Sequence, residues 1–507
     1  MSSLILVLGL SVQPIEMMRI NINSDEMKVF IVTSPVLKLS FCDINLTIIS
    51  IHYKIIFMFE YKFLADILNL KHELTQKTIL AFWIPLAATW LMMSLEGPYL
   101  SALIARLAEP KFNLAAYGIA FSLALIIEAP VIMMMSASTA LVKNYQSFKQ
   151  LRKFNYILSA SLTVAMIVLA IPPIFYFIAD DLIGLPREVS YLTHLAVMIL
   201  IPWPGAIGYR RFYQGILIRN NLTRLVAYGT IIRLISMSIT AFILYKFTNI
   251  PGVVVGASAL STAVICEAIA SKLMVKKFLV KLKSQGSATQ SELTIKEIVK
   301  FYYPLALTSL LTLGIQPFVT FFIGQSKMPL ESFAVMPVVT SFVFIFRGLG
   351  LSFQEVVVAL IGDNMAGFQE LKRFAIKLAM FVAGTLMLIA FTPLAEIWFK
   401  DVSGLSESLT EFAKLPLMIM SFFPALTVLI SFQRAVLVKA NETKQITYGT
   451  AIEFVGIIIV VAICIKYFSL VGVVAATIAF VIGRMAACGY LLPPSISSIR
   501  KISKSNL

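Results

Sequence analysis

Twelve long apolar stretches, separated by short polar connections, constrain this chain more than any other feature. A helix needs roughly 20 predominantly apolar residues to cross about 30 Å of hydrocarbon. Backbone polar groups must be paired inside a bilayer, so stretches of this length are expected to be helical. The sequence therefore predicts an all-α polytopic membrane protein with 12 transmembrane helices. The predicted spans are 79–104, 113–142, 154–178, 189–217, 225–245, 251–275, 298–323, 332–361, 374–398, 409–433, 446–465 and 469–492.

Composition and the placement of charge exclude several classes of protein. The chain is 59% hydrophobic and 13% charged, which is too apolar for a set of water-soluble domains. Its formal net charge is +16, but the basic residues are scattered through short connections, so no nucleic-acid partner is expected. Alternate connections are basic, and the positive-inside rule then places both ends of the bundle in the cytoplasm. We expect a multi-pass protein of a plasma or inner membrane, with membrane lipid as one partner.

The chain contains an internal repeat at an offset of 219 to 220 residues. Residues 218–230 (IRNNLTRLVAYGT) are similar to residues 438–450 (VKANETKQITYGT). Three further matches occur in the same order along the chain: FWIPLA (82–87) with FYYPLA (301–306), FKQLRKF (148–154) with FQELKRF (368–374), and PGVVVGA (251–257) with LVGVVAA (470–476). The four ordered matches indicate two related halves of six helices each.

The repeat predicts the domain organisation. Residues 77–280 form an N-lobe and residues 297–495 form a C-lobe, joined by a polar cytoplasmic linker at 281–296. Residues 1–76 are a poorly structured or misassigned extension with an amphipathic lead-in, and residues 496–507 are a basic cytoplasmic tail. Because each half has an even number of helices, the halves are parallel repeats related by a pseudo-twofold axis along the membrane normal. Two such bundles leave a central cleft, and their rocking gives alternating access to it.

Motifs of other protein classes are missing from the sequence. The four cysteines and three histidines show no metal-ligand spacing, so no metal site is predicted. No phosphate-binding GxxxxGK[ST] motif occurs, so direct use of ATP is not expected. A membrane-embedded enzyme is the alternative from another class, but no catalytic arrangement of side chains supports it. The sequence predicts neither an enzyme nor a bound cofactor.

Ionisable side chains inside the spans are the strongest candidates for a site, because each costs about 2.5–3.5 kcal/mol at the centre of a membrane helix. Two pairs occupy equivalent positions of the repeat, Glu128 with Arg347 and Arg233 with Glu453. Equivalent positions lie at equal depth, so we expect each pair to approach across the axis and to line the cleft. The alternative is that each residue finds a partner within its own lobe.

Two further acidic residues are candidates for a substrate or coupling-ion site. Glu96 precedes Gly97 and Pro98, where the helix must distort because proline has no backbone N–H. A carboxylate beside freed carbonyl groups suits a proton or cation, and contact with water at the external mouth is the alternative. Glu355 lies two turns beyond Arg347 towards the cytoplasm, where it either gates the cleft or solvates the helix end.

Basic residues gather at the predicted cytoplasmic mouth of the cleft. They either set the orientation of the bundle or attract an anionic substrate into the cleft. This group comprises Arg210, Arg211, Arg434 and Lys439.

The arrangement of six plus six helices, with a proline in helix 1 and in helix 7, resembles the MATE-type fold of the multidrug/oligosaccharidyl-lipid/polysaccharide exporter superfamily. The resemblance covers about residues 77–495. Four short stretches are similar to the progressive ankylosis family, whose members are associated with export of pyrophosphate, nucleotide or citrate-like anions. These stretches are FYYPLAL (301–307), AYGIAFSL (116–123), IMSFFPALTV (419–428) and SLVGVVAATIA (469–479).

One departure from this resemblance concerns ion coupling. MATE drug antiporters carry acidic residues in helices 7 and 8, whereas helix 7 here has none and offers only Gln316. Coupling to a proton or sodium ion is therefore assigned to Glu96 and Glu128. The leading prediction is a secondary transporter that exports a small organic solute, with an organic anion favoured. The alternatives are a cation-coupled multidrug antiporter and a flippase for a lipid-linked precursor.

Overall fold

The computed structural model describes residues 74–220, 222–284, 293–362, 365–440 and 442–504. The predicted extension at 1–76 lies almost wholly outside this part, and so does half of the linker at 281–296. Within the described residues there are twelve helices that are long and apolar enough to cross a membrane, as predicted, and no strand. We number them α1 to α12: Gln76–Ala105, Pro110–Leu141, Tyr145–Ala170, Arg187–Arg219, Arg224–Phe247, Gly252–Val280, Ile295–Gly324, Pro329–Leu360, Phe368–Ala390, Glu407–Lys439, Thr443–Lys466 and Gly472–Arg500.

Helices α3 and α9 are displaced along the sequence from their predicted positions. They begin at Tyr145 and Phe368, because their basic first turns are helical although they precede the apolar run. A capping box supports this start in α3, where the Asn144 side chain accepts from the Ser147 N–H and the Ser147 hydroxyl accepts from the Asn144 N–H. Each helix ends just before a proline-containing turn. The predicted spans included these turns because their residues are apolar.

Several helices are interrupted where proline removes a backbone donor. Helix α1 consists of the segments Gln76–Ser94 and Glu96–Ala105, with the break at Leu95, close to the predicted distortion at Pro98. Helix α2 changes to a 3₁₀ turn at Ala129–Val131, around Pro130. The breaks therefore lie within the membrane-spanning part, beside charged residues.

The repeat is visible in unusual backbone conformations at equivalent positions. Glu109 and Met328 both have positive φ, at 50° and 53°, immediately before the prolines that begin α2 and α8. Gly184 and Gly404 both have positive φ, at 79° and 73°, after short π-helical turns that follow α3 and α9. Left-handed conformation favours glycine, which explains the residue at these two turns.

The first helix of each half packs against the other half through equivalent residues. Trp83 of α1 donates from Nε1 to the Ser352 hydroxyl, at 2.8 Å, and its ring meets the edge of Phe374, with centroids 5.8 Å apart. These contacts belong to a buried apolar cluster of α1, α8, α9 and α10. The predicted cytoplasmic segment of α1 is therefore anchored on the second half of the chain.

Tyr302 of α7 occupies the position equivalent to Trp83 and makes the matching contacts. Its hydroxyl donates to the Pro130 carbonyl, at 2.6 Å, and its ring meets Phe154 of α3, with centroids 5.3 Å apart. Pro130 and Phe154 are the repeat equivalents of Leu349 and Phe374, and the Leu349 carbonyl also accepts from Trp83, at 3.3 Å. The first helix of each half thus packs against the other half through equivalent contacts.

Candidate functional site

A network of buried ion pairs links α1, α4, α5 and α6 in the first half. Arg233 donates to Glu96, with Nη2 and Oε2 2.5 Å apart, and its Nη1 lies 3.8 Å from Oε2 of Glu267. Glu267 is 1% exposed and also accepts from Arg210 and from the Gln214 amide, the latter at 2.9 Å. The predicted pairing of Arg233 with Glu453 is therefore wrong, because Arg233 points into its own half.

Glu128 also lies within the first half and not against Arg347. Its carboxylate accepts from the indole N–H of Trp203 in α4 and is 4% exposed. Among the described residues, no basic group lies within ion-pair distance of Glu128. The predicted pair of Glu128 with Arg347 is wrong for the same reason. The repeat predicts that equivalent residues lie at the same level along their helices. It does not predict the direction in which each side chain points around its helix.

Arg347 of α8 is held by aromatic rings. Its guanidinium lies 4.7 Å from the ring centroid of Phe423 and 5.7 Å from that of Phe344, which are cation–π distances. No hydrogen-bond partner is found for its Nε in the described part of the chain. A second guanidinium, that of Arg484 in α12, lies 4.9 Å from the same Phe423 ring.

Glu453 of α11 is the acidic member of the second cluster. Its Oε1 accepts from Nε of Arg484 at 2.7 Å, and its Oε2 lies 3.9 Å from Nη2 of Arg434. Arg434 also donates to the Thr450 hydroxyl at 3.1 Å. Glu453 thus finds its partners within its own half, as the alternative interpretation of the sequence proposed.

The two clusters are built on equivalent positions with opposite chemistry. Glu128 and Arg347 are repeat equivalents, and so are their aromatic partners Trp203 and Phe423. Equivalent positions therefore hold a carboxylate against an indole N–H in the first half and a guanidinium against a ring face in the second half.

Glu267 and Arg484 were missed by the sequence analysis. Both are charged residues inside apolar spans, so the rule that singled out Glu128 would have found them. Their contacts make them central members of the two clusters.

The clusters differ in net charge. The first contains Glu96, Glu128 and Glu267 against Arg210, Arg211 and Arg233, so it is neutral when all six are ionised.

The second cluster contains Arg347, Arg434 and Arg484 against Glu453, a formal charge of +2. These four residues line one cavity. Hydroxyl and amide groups complete its polar wall, from Thr312, Gln316, Thr340 and Thr450. We call it the arginine cavity.

Glu355 and Lys439 complete the predicted candidates, and Arg211 belongs to the first cluster through its charge. Glu355 is exposed and within hydrogen-bonding reach of the Trp90 side chain in α1. Arg211 lies 3.8 Å from the Met135 sulfur and has a buried Nε without a partner among described residues. Lys439 is the last residue of α10 and is partly buried. No group of three or more His, Cys, Asp or Glu that could hold a metal occurs in the described ranges.

Comparison with known proteins defines the fold. No family profile and no curated protein sequence matches this chain. Solved structures do match: an inward-facing multidrug resistance MATE transporter of the MOP superfamily has a TM-score of 0.65 at 17% identity, over 83% of this chain and 96% of that one. The lipid II flippase MurJ, in an inward closed conformation, has a TM-score of 0.62 at 17% identity, over 83% and 90%. A Vibrio cholerae MATE transporter has a TM-score of 0.56 at 16% identity, over 85% and 98%.

These similarities, together with the twelve apolar helices, identify the class. The chain is a multi-pass membrane protein with a MATE-type fold. The neighbours are described as transporters or as a flippase and not as enzymes. The closer resemblance to the progressive ankylosis family stays a prediction, as does the division of the chain into lobes at the predicted boundaries.

Proposed function

We propose that this protein is a secondary transporter, and not an enzyme, that exports a small organic anion by alternating access of a central cleft. The observation that carries the proposal is the formal charge of +2 in the arginine cavity. The fold supports the transporter class, because two similar bundles that rock against each other expose a site between them to one side and then the other.

Electrostatics favours an anion as the occupant. Each unpaired charge at the centre of a membrane helix costs about 2.5–3.5 kcal/mol on insertion scales. The arginine cavity has three guanidinium groups and one carboxylate, so two positive charges lack a carboxylate among its lining residues. A bound anion with one or two negative charges supplies the missing countercharge. Arg347, which has no carboxylate at ion-pair distance among described residues, is the residue expected to contact it directly.

The size of the cavity favours a small solute. Its volume is about 110 Å³. The Gln316 amide can donate to carboxylate or phosphoryl oxygens. The lining threonine hydroxyls donate to backbone carbonyls of their own helices and would have to rotate to do the same. A lipid-linked precursor, the substrate class named for MurJ, is the second candidate. The abundance of basic residues near the predicted cytoplasmic side favours it, but a large head group needs more room than this cavity offers.

A cation-coupled multidrug antiporter is a weaker alternative. Cationic drugs need an acidic or aromatic site, whereas Glu453 is already engaged by two arginines. If transport is coupled to a proton or sodium ion, Glu128 is the candidate, because its carboxylate is buried with an indole N–H and no basic partner at ion-pair distance in the described chain. Glu96 is less suited, since it is already paired with Arg233.

Solute flux in proteoliposomes tests the proposal. We would compare wild type, Arg347→Ala and the control Arg187→Ala, which removes an exposed arginine at the start of α4. The panel contains mono-, di- and trivalent organic anions and cationic dyes, with and without a pH or sodium gradient. We expect anion flux that falls at least tenfold in Arg347→Ala and is unchanged in Arg187→Ala. Flux of cationic dyes without anion flux would contradict the proposal.

A further inference from the structure

One ion pair joins the two halves at the predicted external side. Lys111 in the first turn of α2 and Glu331 in the first turn of α8 have Nζ and Oε1 2.6 Å apart. Their offset of 220 residues differs by one from the 219 that relates Glu109 to Met328, so they lie one residue from equivalent positions in the first turns of the two helices. Each follows a proline and a left-handed residue, Glu109 or Met328, which fix the entry of the chain into the helix. The pair is partly exposed, at 35% and 25% of the side-chain surface.

The helices remain in contact for several turns below this pair. The missing side chain of Gly118 admits Pro337, whose Cγ would lie 3.2 Å from a Cβ at position 118. These two residues are repeat equivalents at the offset of 219. Further along α2, the Thr320 hydroxyl of α7 donates to the Ser122 hydroxyl at 3.2 Å. The halves are therefore closed against each other on this side.

A second cavity lies beneath the closed contact and adjoins the arginine cavity. It is lined by residues of α2, α7 and α8, including Ser122 and Thr320. Gln316 and Thr340 line both cavities. A solute leaving the arginine cavity towards the external side would thus pass these two polar residues and reach the contact that Lys111 and Glu331 cover.

We propose that Lys111 and Glu331 form a latch that holds the external side closed and separates when that side opens. The inference rests on the proposed alternating access, but not on the identity of the solute. When the halves rock about an axis, the residues farthest from the pivot move the most. A pair at the helix ends therefore separates early. Because exposed pairs are individually weak, the latch biases the equilibrium between states and does not lock it.

The experiment measures opening of the external side by labelling. A cysteine introduced by Ser122→Cys lies at a position that is 3% exposed in the closed state. Its reaction with a membrane-impermeant thiol reagent reports how often the external side opens. The background rate from the native cysteines is measured in the protein without this substitution. Lys111→Glu, Glu331→Lys and the exchanged pair, which has both substitutions, are compared in full-length protein in proteoliposomes.

Both single reversals are expected to raise the labelling rate about 1.5- to 5-fold, the range for loss of one partly exposed pair. The exchanged pair should return the rate to near that of wild type. A purely local effect of charge on a charged reagent would change the rate in opposite directions in the two single variants, and that result overturns the latch. So does an exchanged pair in which the two single effects simply add, or a rate that no variant changes. Labelling needs no substrate, so failure of anion flux is a separate outcome.

Discussion

The charge imbalance of the arginine cavity predicts that its four charged residues contribute unequally to stability. Glu453 lies 2.7 Å from Arg484 and 3.9 Å from Arg434. At an effective dielectric constant of about 20, unit charges at these separations attract by roughly 6 and 4 kcal/mol before desolvation is subtracted. Removing one partner of a buried pair costs about 3–5 kcal/mol, because it leaves an uncompensated charge. We therefore expect Glu453→Gln to destabilise the protein by that amount.

Arg347→Gln should behave differently, although it also alters a charge inside the membrane. Arg347 has cation–π contacts but no carboxylate within ion-pair distance among described residues, so its removal lowers the excess charge from two to one. We expect a change within about 1 kcal/mol, since the loss of cation–π attraction, about 0.5–2 kcal/mol, is offset by reduced repulsion. Glu331→Gln, which breaks a partly exposed pair, serves as a control with a cost of about 0.2–1 kcal/mol.

Thermal unfolding of the purified proteins in detergent measures these differences, with and without a transported organic anion. An anion present at about 100 times its dissociation constant should stabilise wild type by about 2.7 kcal/mol. It should stabilise Glu453→Gln by more, because that cavity has one more uncompensated charge. Equal losses in Glu453→Gln and Arg347→Gln, or a smaller effect of the anion on Glu453→Gln than on wild type, would refute the reasoning.

Two further substitutions test contacts of the fold and of the first cluster. Trp203→Phe keeps a ring but removes the N–H that Glu128 accepts, and should cost about 1.5–3 kcal/mol in thermal unfolding if Glu128 is ionised. A cost near zero at high pH would show that this hydrogen bond does not stabilise the carboxylate. Gly324→Ala places a methyl group against the Ile183 carbonyl oxygen where the end of α7 meets the first half. Overpacking of this kind costs about 1–3 kcal/mol of stability. Unchanged stability and flux would show that the backbone at this contact can shift without cost.

The sequence predicted the architecture well because hydrophobic length and the repeat are global signals. Twelve spans follow from the number of residues needed to cross the bilayer, and each prediction is supported by some twenty side chains at once. The starts of α3 and α9 were missed because their first turns are basic and amphipathic. Hydropathy does not distinguish a helical turn outside the hydrocarbon from a loop.

The sequence singled out some of the charged residues of the two clusters, but it did not predict their pairing, and it did not single out Glu267 and Arg484. Glu128 and Arg347 lie at equal depth, as the repeat requires, but each contacts an aromatic residue in its own half. A rotation of a few tens of degrees around a helix decides whether a side chain meets the facing lobe or its own. That rotation depends on the packing of all neighbouring helices, which offsets in sequence do not contain.

Equilibrium binding of a radiolabelled organic anion to the purified protein tests the central claim most directly. The anion is the one that gives the highest flux, and the proteins are wild type, Arg347→Ala and Arg187→Ala. Our account predicts saturable binding to wild type and to Arg187→Ala, and at least tenfold weaker binding to Arg347→Ala, since a hydrogen bond to a charged group contributes about 1.5–3 kcal/mol. Equal binding to all three proteins, or saturable binding of cations in place of anions, would contradict an anion site in the arginine cavity.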